Sequence, residues 1–263
     1  MQFQATIVIP LLRQVDTWLE RCILSALDQT VPAEVIVVPS ERTPATSLRL
    51  IEHLSKEAEG LRIGRPENEG FAAALNRGIR DASCHRVGFL LSDDWLHPSA
   101  LRKCLPYDSD IVSTQLSNYA ADGVTALGIE RRITSHEFNQ LGTLQAQASY
   151  LSHLYLFQRD KLLEVGGVDE TIGETGADDY DLIWTLLEHG ASVSIVEEVL
   201  YFKRDHHGER LTLRDREAQV NDLHKIFDKH GVYGALRSRL TEKHARWYGR
   251  PIHEVVRGLG GKD

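Results

Sequence analysis

Apolar residues fall in short continuous runs through the first half of the chain, with amphipathic stretches between them. Ala5-Thr6-Ile7-Val8-Ile9, Glu34 to Val38, Leu61-Arg62-Ile63, Val87 to Leu91 and Asp110-Ile111-Val112-Ser113 are bounded by polar, Gly or Pro residues, the pattern of buried strands. Pro10 and Pro39 are expected to stop the first two, because proline withdraws a ladder donor. Leu19, Ile23, Ala26 and Leu27 recur at helical spacing, as do Leu50, Leu54 and Ala58, and then Phe71, Leu75, Ile79 and Ala82. Thr17-Trp18-Leu19-Glu20 has capping-box spacing at the head of the first helix, and Gly60 closes the second. Turn residues Pro66-Glu67-Asn68-Glu69-Gly70 precede the third, and a fourth helix starts near Ser99. This alternation predicts an α/β fold: a doubly wound sheet with right-handed crossovers, and a ligand crevice where the strand ends converge.

Beyond residue 115 the pattern loosens. Residues 117–145 are polar and irregular and read as a mobile or partner-facing segment. Arg159 to Val165 reads as a helix stopped at Gly166-Gly167. Asp179 to His189 forms another, with Leu182, Ile183, Leu186 and Leu187 inward and Gly190 closing it. Val193 to Val196 and Val199 to Phe202 predict two short strands, and Leu213 to Trp247 a charged amphipathic helix. With no repeat and no Pro/Gly/Ser linker, the chain reads as one unit in three parts, 1–114, 115–212 and 213–263.

The 263 residues are 42% hydrophobic and 26% charged, which suits a sizeable soluble core. A net charge of −8 argues against a nucleic-acid surface or a strongly anionic membrane partner. It leaves room for a small anionic substrate, since a metal supplies local positive charge. Cys22, Cys84 and Cys104 lie far apart, so neither a disulfide framework nor structural zinc is expected. No basic-then-apolar leader and no apolar run of membrane length are present, so a cytoplasmic location without a transmembrane segment is the expectation.

The chemistry concentrates in Gly88-Phe89-Leu90-Leu91-Ser92-Asp93-Asp94-Trp95. An apolar strand there delivers two adjacent carboxylates to the sheet edge. Their mutual repulsion is offset by a divalent cation, and hard oxygen ligands suit Mg2+ or Mn2+ carrying a diphosphate. The alternative is a turn in which Asp93 or Asp94 caps the helix that begins near Pro98-Ser99.

Several segments, in order, resemble the inverting family-2 glycosyltransferases. Ile7-Val8-Ile9-Pro10 is similar to that family's opening strand, and Cys22 to Thr30 with Glu34 to Val38 to its first helix and second strand. Asn68-Glu69-Gly70 and Asn76-Arg77-Gly78-Ile79 resemble its nucleotide-facing loop and helix, and Phe89 to Leu96 its D-x-D metal segment. Gly166-Gly167-Val168-Asp169-Glu170 and Asp178-Asp179-Tyr180-Asp181-Leu182 resemble the acceptor-side signature and the E-D base motif, and Tyr201 to Gly208 the late histidine segment. Five residues depart from the family pattern. Pro39-Ser40 stands where acids hold the nucleotide base, with Glu41 just after. Leu91 replaces the first acid of D-x-D, Leu75 replaces an arginine, and Asp178 replaces a Glu.

The resemblance implies the GT-A fold, a Rossmann-like mixed sheet with helices on both faces and a helical C-terminal extension. It implies donor binding in 1–114 and acceptor binding in 115–212. Asp179 would be the general base, and Asp93 with His206 (His207 as its alternative) would hold Mn2+ or Mg2+. Pro10, Glu41, Asn68, Gly70, Asn76, Asp94, Trp95 and Asp178 would contact substrate. Trp95 and Trp184 are candidates for stacking on a sugar ring, or else for core positions, and Lys203, Arg204 and Arg210 for clamping phosphates, or else for ordinary solvated charge. Segments 117–145 and 203–215 would close over the donor. His53, His85 and His230 read as surface residues. The implied partners are a nucleotide diphosphate sugar and an acceptor glycan, lipid-linked sugar, peptide or small metabolite. The rival readings are a catalytically silent binding module and a sugar nucleotidyltransferase. Pro10-Leu11-Leu12-Arg13 lacks the glycines of a triphosphate loop and counts against the second rival.

Overall fold

Four of the five apolar runs of the first half become parallel strands, β1 (Ala5–Leu11), β2 (Ala33–Pro39), β3 (Leu61–Ile63) and β4 (Arg86–Phe89), ordered β3-β2-β1-β4. Helices α1 (Asp16–Leu27), α2 (Ala45–Glu57) and α3 (Phe71–Asp81) make the crossovers. The computed structural model describes residues 2–65, 68–151, 153–172, 175–207, 215–246, 248–250 and 254–255, with backbone alone at 129 and 131. Pro66, Glu67, Arg210, Trp247 and most of the predicted closing segment 203–215 lie outside the described residues.

Within this half the differences from expectation are local. β1 runs through Pro10 to Leu11: β4 pairs with β1 only as far as Val8, so the donor that Pro10 lacks is not required on that side. The capping box at Thr17 does not form. Helix α1 starts two residues earlier, with Val15 at the cap position; the Gln14 side chain accepts the Val15 N–H, and the Asp16 carboxylate accepts from the Ser47 hydroxyl of α2 at 2.6 Å. The buried face of α2 is Ser47, Ile51 and Leu54, with the expected Leu50 and Ala58 half-buried against the same core.

The second half is more ordered than its composition suggests. After β5 (Trp95–Leu96) and the short α4 (Ala100–Cys104), β6 runs from Ile111 to Tyr119 and turns into β7 (Ala126–Arg131). Ser113, Thr114, Gln115, Ser117 and Asn118 are all buried in β6, so a central strand carries the polar residues that elsewhere mark a loop. The Asp122 carboxylate accepts from the Val124 and Thr125 backbone N–H groups and pins the β6–β7 turn. Helix α5 (Ser135–Asn139) opens with a true capping box between Thr134 and Glu137, and α6 (Leu144–Tyr150) follows. Residues 117–145 are thus a hairpin and helices, where an irregular segment was expected.

An unanticipated strand, β8 (Tyr155–Gln158), inserts antiparallel between β4 and β6 and leads into α7 (Arg159–Glu164). Helix α8 (Asp178–Glu188) precedes β9 (Val193–Arg204). The two short strands expected there are one, interrupted by a register shift at Glu197-Glu198 where Val196 pairs with Thr114 and Val199 with Gln115. The C-terminal amphipathic stretch is two helices, α9 (Arg216–Lys229) and α10 (Gly234–Ala245), broken at Gly231 and Gly234, both at positive φ.

The nine strands form one mixed sheet, β3-β2-β1-β4-β8-β6-β9-β5, with β7 on β6. Alternate β1 residues serve two cores: Val8 packs with α3 and α8 residues, Ile7 and Ile9 with α1 and α2 residues. Among the described residues no helix is long and apolar enough to cross a membrane.

Helix α3 packs on β1 through Gly78, where a Cβ would lie 2.2 Å from Val8 Cγ1. The variant Gly78→Ala is therefore expected to lose about 1–3 kcal/mol of stability through overpacking. The measurement is urea unfolding, with a lower midpoint at unchanged slope.

Candidate active site

The chain leaving β4 places two carboxylates side by side, and the structure treats them differently. Asp94 is buried: its Oδ2 accepts from the Tyr201 hydroxyl at 2.6 Å and its Oδ1 from the Arg204 backbone N–H at 2.8 Å. Burial, then the charge of Asp93, pushes its pKa up to about 7. Asp94 is thus not a helix cap. It ties the end of β4 to the end of β9, and among the described contacts its two oxygens face inward partners.

Arg204 is 2% exposed, so neither solvated charge nor a phosphate clamp describes it. Its Nε donates to the Asp93 carbonyl at 3.0 Å, its Nη1 to the Ala121 carbonyl at 2.7 Å, and its guanidinium lies over Trp18. Burial, then the neighbouring Arg21, holds its pKa below the ordinary arginine value. Asp93 carries the more open carboxylate. Its Oδ2 lies 2.9 Å from His206 Nε2, and the imidazole packs against Trp18 at 4.8 Å between ring centroids.

The second pair of acids opens α8. Asp178 is buried, and burial followed by the charge of Asp179 pushes its pKa up to about 7. The Asp179 side chain is 39% exposed, in the first turn of α8. The Tyr155 hydroxyl donates to Asp179 Oδ2 at 3.4 Å, and His153 Nε2 lies 3.7 Å from the same oxygen. Asp93, Asp94, Asp178 and Asp179 all line one cleft, together with Pro10, Arg13, Phe71, Leu91, His153 and Lys203.

The remaining expected contacts lie elsewhere. Asn76 is buried: its Oδ1 accepts the Val168 N–H at 2.8 Å, and its Nδ2 donates to the Val168 carbonyl and to Glu170. With Asn68, which donates to Glu170 at 2.9 Å, it fastens the Gly166–Glu170 turn to α3. Gly70 caps α3 at φ 120°. Glu41 is exposed, and its backbone N–H reaches Glu69 rather than the cleft.

Trp95 is buried beneath the Arg21 guanidinium at 3.7 Å, a core position that leaves it outside the cleft lining. Trp184 stacks on His230 at 4.2 Å. His230 is not a surface residue: its side chain is 1% exposed, between Asp181 and Glu188. His207 is exposed, 3.7 Å from Glu254. Sequence reasoning missed His153 and Tyr155, which sit on and beside the unanticipated β8 and carry no motif spacing.

The resemblance implies a cation, and the pair at Asp93 is where it would bind. Asp93 Oδ2 and His206 Nε2 are 2.9 Å apart, a hydrogen-bond distance that is also the edge of an octahedral site with bonds of about 2.1 Å. A carboxylate oxygen and an imidazole nitrogen suit a divalent ion of the Mn2+ class. No group of three or more His, Cys, Asp or Glu is placed to hold a metal among the described residues, so a diphosphate and water would complete the shell.

The model of "Glycosyl transferase family 2" matches residues 6–162. The chain belongs to this family. This family-2 chain is 25% identical over 122 residues to the putative glycosyltransferase EpsH of Bacillus subtilis (strain 168), covering 46% of this chain and 36% of EpsH. It is 25% identical over 205 residues to the chondroitin synthase of Pasteurella multocida (strain Pm70), covering 77% of this chain and 20% of that protein. It thus spans about a third and a fifth of these two relatives. A crystal structure of S. aureus TarS 1–349 in complex with UDP-GlcNAc superposes with a TM-score of 0.68 at 15% identity, covering 93% of this chain and 70% of that one, a likeness of fold.

Asp178 makes a stability prediction. An aspartate raised from 3.8 to about 7 keeps a proton that the unfolded chain releases, so stability falls as pH rises between those values. Replacing it as Asp178→Asn, which mimics the protonated form, is expected to flatten that fall. Chemical denaturation at pH steps from about 4 to about 7 measures it.

Proposed function

We propose that this protein is a metal-dependent inverting glycosyltransferase, moving a sugar from a nucleotide diphosphate sugar to an acceptor hydroxyl. The observation that carries this reading is that Asp93 and Asp179, delivered by different elements, line a single cleft. A donor of the uridine diphosphate class is supported by the fold shared with TarS, whose structure holds UDP-GlcNAc.

The acceptor oxygen attacks the anomeric carbon as the bond from that carbon to the diphosphate breaks, and the configuration inverts. Asp179 accepts the hydroxyl proton at a carboxylate oxygen, with Tyr155 and His153 orienting it from the side of Oδ2. Asp93 and His206 would hold Mn2+ or Mg2+, which when bound neutralises the charge of the departing diphosphate. Lys203 and Arg13 add cationic side chains to the same lining. Asp94 acts from behind, fixing the turn after β4 that carries Asp93. The apolar Pro10, Phe71 and Leu91 give the cleft a wall against which a ring packs and from which water is excluded.

Turnover of a nucleotide sugar with the variant Asp179→Asn is expected to fall by ~10²–10⁴ while donor affinity stays, since only the proton acceptor is removed. Unchanged turnover removes Asp179 from the mechanism. Chelation by EDTA is expected to abolish turnover and added Mn2+ to restore it. In His206→Ala the Mn2+ concentration for half-maximal rate should rise by about 10–100-fold. A rate indifferent to chelator overturns the metal assignment.

A further inference from the structure

The acceptor side of the cleft adjoins a cationic surface that the mechanism does not use. In a chain of net charge −8, Arg239, Lys243, Arg246 and Arg250 recur every three or four residues along α10 and the turn after it, and all four are exposed. The neighbouring Arg237 is different, since it pairs with Asp228. Arg250 also donates to the Glu254 carbonyl at 3.4 Å. Glu242, the one acid of α10, is exposed a single position from Lys243, about 100° around the helix. The Lys243 ammonium lies 5.3 Å from the ring of Tyr150 on α6, which is 45% exposed.

This row reaches the base through packed elements. Gln145 of α6 donates to the Tyr180 hydroxyl at 2.8 Å, and Tyr180 directly follows Asp179. The His244 ring, next to Lys243, is 5.0 Å from the Tyr180 ring. Burial, with Tyr180 and Asp179 nearby, raises the pKa of the Tyr248 phenol.

We propose that this stripe receives an anionic acceptor, a glycan chain bearing carboxylate, sulfate or phosphate groups that lies along α10 and offers a hydroxyl to Asp179. The inference rests on the reading of the cleft as a glycosyl-transfer site and adds the class of its acceptor. The two more open carboxylates of the cleft, Asp93 and Asp179, repel a polyanion. Such a chain binds here only if cations outside the cleft offset that repulsion, and an exposed row of like charges gains by meeting one. Tyr150 offers an aromatic face at the edge of the row for a sugar ring.

The test uses the full chain with fluorescent chondroitin decasaccharide as the anionic probe and a maltodextrin of equal length as the neutral one. The wild type should bind the anionic probe at least ~10-fold more tightly at ~50 mM NaCl, with most of that margin lost by ~200 mM. The variant R239Q/K243Q/R246Q/R250Q should lose the margin, while R239K/R246K/R250K, which keeps the charge, should retain it. Thermal unfolding of both variants confirms that they fold. Equal binding of the two probes by the wild type overturns the proposal, as does an undiminished margin in the glutamine variant. Binding to phosphatidylglycerol vesicles without binding to the soluble anionic probe overturns it too, making the stripe a membrane contact. Hydrolysis of UDP-GlcNAc by water, measured on the wild type, reports the cleft separately. Its absence would count against the transferase reading whatever the stripe binds.

Discussion

Two carboxylates in succession cannot both be buried, and the way this chain separates them organises the rest of the site. Asp94 takes the buried position, where losing water would cost several kcal/mol without hydrogen-bond partners. Its partners, the Tyr201 hydroxyl and the Arg204 N–H, both come from the end of β9. That strand must therefore run its full length, and the shift at Glu197-Glu198 sets the register in which its end arrives. The Arg204 guanidinium is then drawn in behind the acids, held by the Asp93 and Ala121 carbonyls and two tryptophan faces. Two residues further on, His206 arrives at Asp93 as a consequence.

The opposite wall is set by a comparable fastening. Gly167, at positive φ, brings its backbone so close to Asn76 that a Cβ would lie 2.3 Å from the amide oxygen. The buried Asn76 amide then bonds both backbone groups of Val168. This holds the turn before α8 against α3, the helix that also packs on β1. In α8 the division of labour repeats. Asp178 is buried with a raised pKa, while Asp179 stays open beside Tyr155 and His153. Each wall thus pairs an internal acid that shapes the backbone with an outward one that meets the cleft.

The first-half strands, the three crossover helices and the acids at 93–94 were legible in the sequence as continuous apolar runs and helical spacing, while the acids at 178–179 stood out through the family resemblance. The second half was less so. Strand β6 is polar yet buried, since sheet neighbours on both sides satisfy its backbone and the surrounding fold takes in its Ser, Thr, Gln and Asn side chains. Strand β8 is four residues long and has no periodicity to read.

The sequence by itself determined the α/β class and which carboxylates are adjacent, for these follow from local pattern and covalent order. Only the tertiary structure decided which acid of each pair faces water. It also withdrew Asn76 and Trp95 from the cleft and brought His153 and Tyr155 to Asp179. Burial and partner choice belong to contacts between residues far apart in the chain, and no spacing along it encodes them.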